Sequence, residues 1–145
     1  VTFAINSTNA KFKPIYKTKD AIGFDICNNH DVAFVIAPRT VDIVRTGLYV
    51  DLELTDGEHE LQIRSRSGLA AKDLIFVLNS PGTIDPEYKD EIKVILYNAG
   101  DKPFIFNPGD RIAQGVVVKR EPRCLGVEEE ATTREGGLGS TGVTI

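Results

Sequence analysis

Residues 74–100, LIFVLNSPGTIDPEYKDEIKVILYNAG, constrain the fold more than any other stretch of the chain. Two apolar, β-prone runs, residues 74–78 and 92–97, flank a loop that holds Pro81, Gly82, Pro86 and a cluster of acids. Runs of that length bounded by proline and glycine predict two strands joined by a long hairpin loop. One acid, Asp85, is pinned between Ile84 and Pro86. An acid fixed there is an odd choice for a plain surface turn, and it marks the loop as a place for chemistry.

The rest of the chain repeats the pattern of short strands and turns. Residues 2–5 predict a first strand. Apolar residues alternate with others at Ile22, Phe24 and Ile26, as on a half-buried strand, which turns Asp25 to the opposite face. Taken alone, Asp25 reads as a solvated strand acid. Residues 32–36 and 41–44 are β-rich about the turn Ala37-Pro38-Arg39-Thr40. Residues 46–54 predict another strand. Asp56-Gly57 is a hairpin turn signal, because glycine tolerates the positive φ of a type I′ turn, and residues 60–63 are the return strand. Residues 104–106 and 112–118 are strands around Asn107-Pro108-Gly109-Asp110, and the unbroken Val116-Val117-Val118 predicts burial on both faces. The one good helix candidate is residues 65–73, SRSGLAAKD, with Ser67 as its cap. Many short strands, one short helix and frequent turns predict an all-β sandwich or jelly roll.

That helix start is also a place for an anion, since its backbone N–H groups and positive dipole end lie beside Arg64 and Arg66. The plain alternative is that both arginines are solvated charges at a strand end. A similar choice arises at the C-terminus. Residues 1–127 read as one β domain, and 128–145 open with Glu128-Glu129-Glu130 and become glycine-rich. This arm is either a frayed end or a flexible segment that orders over a phosphate through backbone N–H groups, hydroxyls and Arg134.

A chain of 145 residues with 41% hydrophobic residues is long and apolar enough for a single domain with a real core. Its net charge of −4 argues against bulk nucleic-acid or anionic-membrane binding, but a few local arginines suffice for a small phosphate ligand. Cys27 and Cys124 have no zinc-site spacing and are expected to be thiols in a reducing compartment. No run approaches a membrane span, and the first residues lack a basic-then-apolar signal pattern. Methionine is absent, so removal of an initiator is expected. Together these features predict a soluble intracellular protein, nuclear if its source is eukaryotic or viral.

Five stretches, in order, resemble the motifs of the trimeric deoxyuridine triphosphatase (dUTPase) family: residues 21–26 (AIGFDI), 66–70 (RSGLA), 82–89 (GTIDPEYK), 108–114 (PGDRIAQ) and the tail from Arg134 to Gly142. Each is a weak signal by itself, but five in order are specific. The resemblance implies a β jelly roll that assembles as a homotrimer, with active sites between subunits and the tail of one chain closing a site built by two others. It implies hydrolysis of dUTP to dUMP and pyrophosphate, keeping uracil out of DNA and supplying dUMP for thymidylate synthesis. Asp85 corresponds to the base that orients and deprotonates the attacking water. Arg66, Ser67 and Gly68 would hold the phosphates, Gln114 would contact the phosphate chain, and Arg134 would clamp the terminal phosphate with Ser140 and Thr141. Asn79 and the backbone around Gly82, Thr83, Ile84 and Lys93 would pair with uracil in a hairpin too tight for the methyl group of thymine. Tyr88 would pack under the deoxyribose, and Asp25 would support the constellation indirectly. Leu138, followed by Gly139, stands where the family usually has an aromatic that stacks on the base; leucine can cover the base but not stack. Magnesium in this family is bound mainly by the triphosphate and water, so no metal cage of protein side chains is expected.

Three other readings compete. A dCTP deaminase has a related fold but places a glutamate ten residues beyond the loop aspartate; here that position is Ile95, which cannot carry protons. A nucleotide-binding regulatory protein on the same scaffold would bind without turnover. A structural jelly roll would explain the strands but not five ordered polar motifs.

Overall fold

A computed structural model describes residues 2–130 and Leu138. Its strands are β1 (Ile5–Ser7), β2 (Phe24–Cys27), β3 (Phe34–Ile36), β4 (Val41–Val50), β5 (His59–Arg64), β6 (Ile75–Val77), β7 (Gly82–Ile84), β8 (Ile92–Asn98), β9 (Phe104–Phe106) and β10 (Arg111–Lys119). The one α-helix among the described residues, α1, spans Ser67–Asp73. Two four-stranded antiparallel sheets, ordered β1-β4-β8-β6 and β2-β10-β5-β7, are accompanied by a β3-β9 ribbon.

Period-two patterning decides which side chains enter the space between the sheets. In β8, Ile92, Val94, Leu96 and Asn98 are buried while the residues between them are not. Phe24 and Ile26 point inward from β2, which leaves Asp25 on the opposite face as the alternation predicted. Val44, Leu48, Ile75 and Val77 from one sheet meet Leu61, Ile63 and Ile112 from the other, and Ile36 and Phe106 extend the same core from the ribbon.

Two buried asparagines fasten the ends of this core. The Asn98 amide donates to the carbonyls of Ile36 and Lys102, and its Oδ1 accepts from the Gly100 N–H. The Asn28 amide donates to the carbonyls of Asn107 and Asp110, so it holds the turn that delivers Arg111.

Several sequence expectations change. The runs at 74–78 and 92–97 do pair, as β6 and β8, but the connection between them is not a simple hairpin loop. It contains β7, which crosses to pair with β5 in the other sheet. Residues 41–44 and 46–54 are not two strands: β4 runs unbroken to Val50, and residues 52–54 form a turn. The glycine of Asp56-Gly57 has the expected positive φ of 78°, but the turn joins strands of different sheets and closes no hairpin. The first strand lies at Ile5–Ser7, not at residues 2–5, and Ile22 is exposed ahead of β2. Ser67 is the first helical residue and not the cap, a place taken by Arg66 without a side-chain capping bond. Of the three consecutive valines Val116 is buried, and Val117, which points to the other face, is partly buried against the core, so both faces are covered in part; Val118 is half-exposed.

Candidate active site

The second sheet lines up polar residues from three strands. In the β10–β2 pairing Gln114 stands opposite Asp25, and in the β10–β5 pairing it stands opposite Arg64. One level across the sheet therefore carries Asp25, Gln114 and Arg64. The chain leaves β5 at once and brings Arg66 back over this row. Arg66 Nε lies 3.5 Å from Asp25 Oδ1, and Arg111 Nη1 lies 3.2 Å from Asp25 Oδ2. Each guanidinium takes one oxygen of the same carboxylate, whose side chain is only 17% exposed. Arg66 Nη1 also donates to the Arg111 carbonyl at 3.5 Å. Asp25 thus aligns two cations and neutralises only part of their charge.

Gln114 is fixed from two directions. Its amide donates to the Ser65 carbonyl at 3.0 Å. A Cβ at Gly23 would sit 2.4 Å from its Oε1, so the absence of a side chain there is what lets Gln114 lie in place. Ser65 is held in turn, its hydroxyl accepting from the Val77 N–H and its own N–H reaching Ser80 Oγ at 3.4 Å. The first turn of α1 begins beside this cluster. Its leading N–H groups have no acceptor within the helix, and a Cβ on Gly68 would meet nothing within 4 Å, so backbone can be approached closely there. Cys27, opposite Arg111 in the register, borders the cluster. Burial, and then the charge of Asp25, push its thiol pKa up.

The Asp85 loop is built separately. β7 pairs Gly82 with Ile63 and Ile84 with Leu61. Asp85 follows Ile84, so it leaves the sheet at the end of β7 remote from Ser80. Leu61 is three residues from Arg64, about 10 Å at a strand rise of about 3.3 Å per residue. β7 and β2 are also the two edges of their sheet, three strand spacings of about 4.8 Å apart. One chain therefore does not bring Asp85 to the arginine cluster. The Asp85 carbonyl accepts from the Tyr88 N–H, and the Tyr88 hydroxyl donates to the Glu91 carbonyl at 3.2 Å, closing a compact turn. Tyr88 is 7% exposed and part of the core.

The remaining expected residues border this second region. Asn79 follows β6 and packs against Gly82, where a Cβ would come within 3.2 Å of its amide nitrogen. Thr83 is exposed and Ile84 half-buried on β7, and Lys93 is exposed on β8 opposite Arg45. Leu138 is exposed, and Arg134, Gly139, Ser140 and Thr141 lie outside the described residues. Sequence reasoning missed Arg111 as a member of the cluster. The signal was its place in residues 108–114, three before Gln114, but its ion pair with Asp25 depends on a strand pairing across 86 positions. It also missed Glu91, which read as one more acid of the loop.

The pattern and the geometry agree with the comparisons. A family model described as dUTPase matches residues 10–142. The deoxyuridine 5′-triphosphate nucleotidohydrolase of Helicobacter pylori is 47% identical over 134 residues, covering 90% of this chain and 89% of that protein. The protein of the same name from Wolinella succinogenes is 48% identical over 132 residues, covering 89% of this chain and 85% of the relative. In fold, the chain is similar to the crystal structure of dUTPase from Streptococcus mutans, with a TM-score of 0.73 at 22% identity, over 86% of this chain and 99% of that one. Ordered motifs, sheet topology and identity across nearly the whole length lead to one assignment: the chain belongs to the dUTPase family.

Proposed function

We propose that this chain hydrolyses dUTP to dUMP and pyrophosphate. The observation that carries the reading is the gathering of Arg66, Arg111 and Gln114 around Asp25, beside the start of α1, in a chain of this family. Two cations on one carboxylate retain net positive charge, and the adjoining Ser67 and Gly68 backbone supplies N–H donors for phosphate oxygens. Gln114, locked by Ser65 and Gly23, contacts the phosphate chain. Asp85 takes a proton from a water whose oxygen attacks the α-phosphorus. The bond from that phosphorus to the oxygen bridging it to the β-phosphate breaks, and pyrophosphate leaves. Positioning and charge stabilisation provide most of the acceleration, as in phosphoryl transfer generally.

Asn79, with backbone near Gly82, Thr83, Ile84 and Lys93, reads the uracil edge. Tyr88 lies under the deoxyribose, where an added 2′-hydroxyl loses its hydration without a partner, a cost of about 1–3 kcal/mol. Among the described residues no three His, Cys, Asp or Glu side chains converge as a metal site. Asp25, the acid nearest the cluster, is already shared by two guanidiniums, a donor set that suits a magnesium ion arriving on the triphosphate with its own water. When bound, that ion neutralises charge on the phosphate oxygens.

The separation of Asp85 from the arginine cluster supports a homotrimer with shared sites. So does the outward face of the β1-β4-β8-β6 sheet, where Val41 and Ile43 are about half exposed beside Ile95, Tyr97 and Phe76. An apolar face of that kind favours a partner surface. Residues 128–145 would be the arm, with Arg134, Leu138, Gly139, Ser140 and Thr141 closing over the nucleotide. No helix is long and apolar enough to cross a membrane among the described residues. An intracellular nucleotide pool is where such an activity has its substrate.

Pyrophosphate release from dUTP with magnesium, measured beside dTTP, dCTP and UTP for the wild type and Asp85→Asn, tests this reading. Release from dUTP alone, lost in Asp85→Asn, is the expected result. A folded protein that binds dUTP and releases nothing would make it a regulatory binder.

A further inference from the structure

β4 carries an irregularity beside the Asp85 loop. Arg45 pairs with Lys93 and Leu48 pairs with Ile92, so Thr46 and Gly47 are extra residues opposite a single step of β8. Gly47 has a φ of 69°, and a Cβ there would lie 2.6 Å from Thr8 Oγ1 and 2.7 Å from Asn29 Nδ2. The buried Thr46 hydroxyl donates to the Ile92 carbonyl, and its oxygen accepts the Leu48 N–H at 3.1 Å.

Glu91 closes this bulge. Its side chain is 12% exposed, Oε2 accepts the Gly47 N–H at 2.9 Å, and Oε1 faces Arg45 Nε at 3.5 Å. Its backbone carbonyl, on the same residue, receives the Tyr88 hydroxyl. One residue therefore fastens a strand bulge with its carboxylate and the Tyr88 phenol with its main chain. The mechanism above makes no use of this nearly buried acid.

We infer that Glu91 is a positioning residue for sugar selection: by clamping the 88–91 turn to the β4 bulge it fixes the height of the Tyr88 ring and so the exclusion of a 2′-hydroxyl. This rests on the reading of Tyr88 as the floor of the deoxyribose. Without the carboxylate, the turn can draw away from β4 and admit a ribose. Glutamine at the same position keeps an oxygen for the Gly47 N–H and loses only the attraction of Arg45.

The test is steady-state kinetics on dUTP and UTP for the wild type, Glu91→Ala, Glu91→Gln, Arg45→Ala and Tyr88→Phe, with thermal melting alongside. Glu91→Ala is expected to lower the dUTP to UTP ratio of kcat/KM about tenfold, chiefly by raising KM for dUTP and admitting UTP. Glu91→Gln recovers most of the ratio. Tyr88→Phe shifts it in the same direction and adds little on top of Glu91→Ala, because both break one linkage. A lower Tm or active fraction with the ratio unmoved makes Glu91 merely structural and overturns the inference. Arg45→Ala, which like Glu91→Gln removes only the attraction between Arg45 and the carboxylate, is expected to leave most of the ratio intact. If Glu91→Ala does not fold, an unmoved ratio in Tyr88→Phe, which breaks the same linkage from its other end, overturns the inference. Wild-type protein without dUTP turnover fails the proposed function itself, whereas an active wild type with an unmoved ratio in Glu91→Ala fails this inference alone.

Discussion

Asp25 and Asp85 are both carboxylates at an edge of the same sheet, and they are made in opposite ways. Asp25 sits inside β2, and its partners arrive by strand register from β10 and from the end of β5. Asp85 follows a three-residue strand at the other edge, on a connection between two strands of the opposite sheet. The first centre is assembled within one chain, both of its oxygens bound. The second lies about 13 Å away along the strands, one residue beyond the Ile84–Leu61 pair, and three strands across. On the proposed reading the first is the phosphate-binding half and the second carries the base, a division that suits a site shared between copies.

The strongest way to break this comparison is at Asp85. Asp85→Asn is expected to lower kcat by about 10³-fold through loss of a general base, with melting nearly unchanged. A comparable loss of Tm would make Asp85 a fold residue and erase the contrast. Arg66→Ala should act on binding instead, raising KM for dUTP about ten- to a hundredfold. Co-refolding Asp85→Asn and Arg66→Ala protomers then asks whether the halves come from different copies. Assayed at dUTP well below KM, where each variant alone is nearly inactive, random trimers should regain about a quarter of wild-type activity, whereas sites complete in one chain regain none.

Smaller effects sharpen the picture. Asn28→Ala should cost about 2 kcal/mol in denaturant unfolding, since the Asn107 and Asp110 carbonyls lose a donor. It should also raise KM, because that turn delivers Arg111. Asn98→Ala should destabilise similarly and leave KM alone.

Cys27 gives the mildest readout. Its thiol pKa is raised by burial and then by the Asp25 charge, so alkylation near pH 8 should be slower at Cys27 than at the exposed Cys124. Asp25→Asn should quicken it. Because the folded pKa lies above the unfolded one, the neutral thiol's contribution to stability is full below the ordinary thiol range and is lost as pH rises through the raised value.

Much of this was legible in the sequence. Alternation placed Phe24 and Ile26 inward and Asp25 outward, and the turn residues around Asn107 and Gly109 separated β9 from β10. The ordered motifs gave the family before any geometry did. What could not be read was pairing between distant segments. Three residues, Gly82–Ile84, are too few to show a period, so nothing local said that β7 leaves its flanking strands for β5. The bulge was hidden for another reason: Arg45-Thr46-Gly47 looks like a break, and only the hydrogen bonds of Thr46 and Glu91 carry the strand through it. Arg111, though inside the 108–114 motif, and Glu91 showed no role of their own in the sequence because the groups they serve lie on other strands.

That bulge also limits which lengths of β4 the fold can accept. It holds two surplus residues, an even number, so Val44 before it and Leu48 and Val50 after it face the same core. Deleting one residue would reverse the phase of everything downstream, turning Tyr49 inward and Leu48 and Val50 to solvent. Deleting both would restore the phase and leave a straight strand, but would remove the Gly47 N–H that Glu91 accepts. Length variation within β4 is therefore tolerable to the core only in pairs, and removing this pair would keep the barrier between water and core while releasing the 88–91 turn.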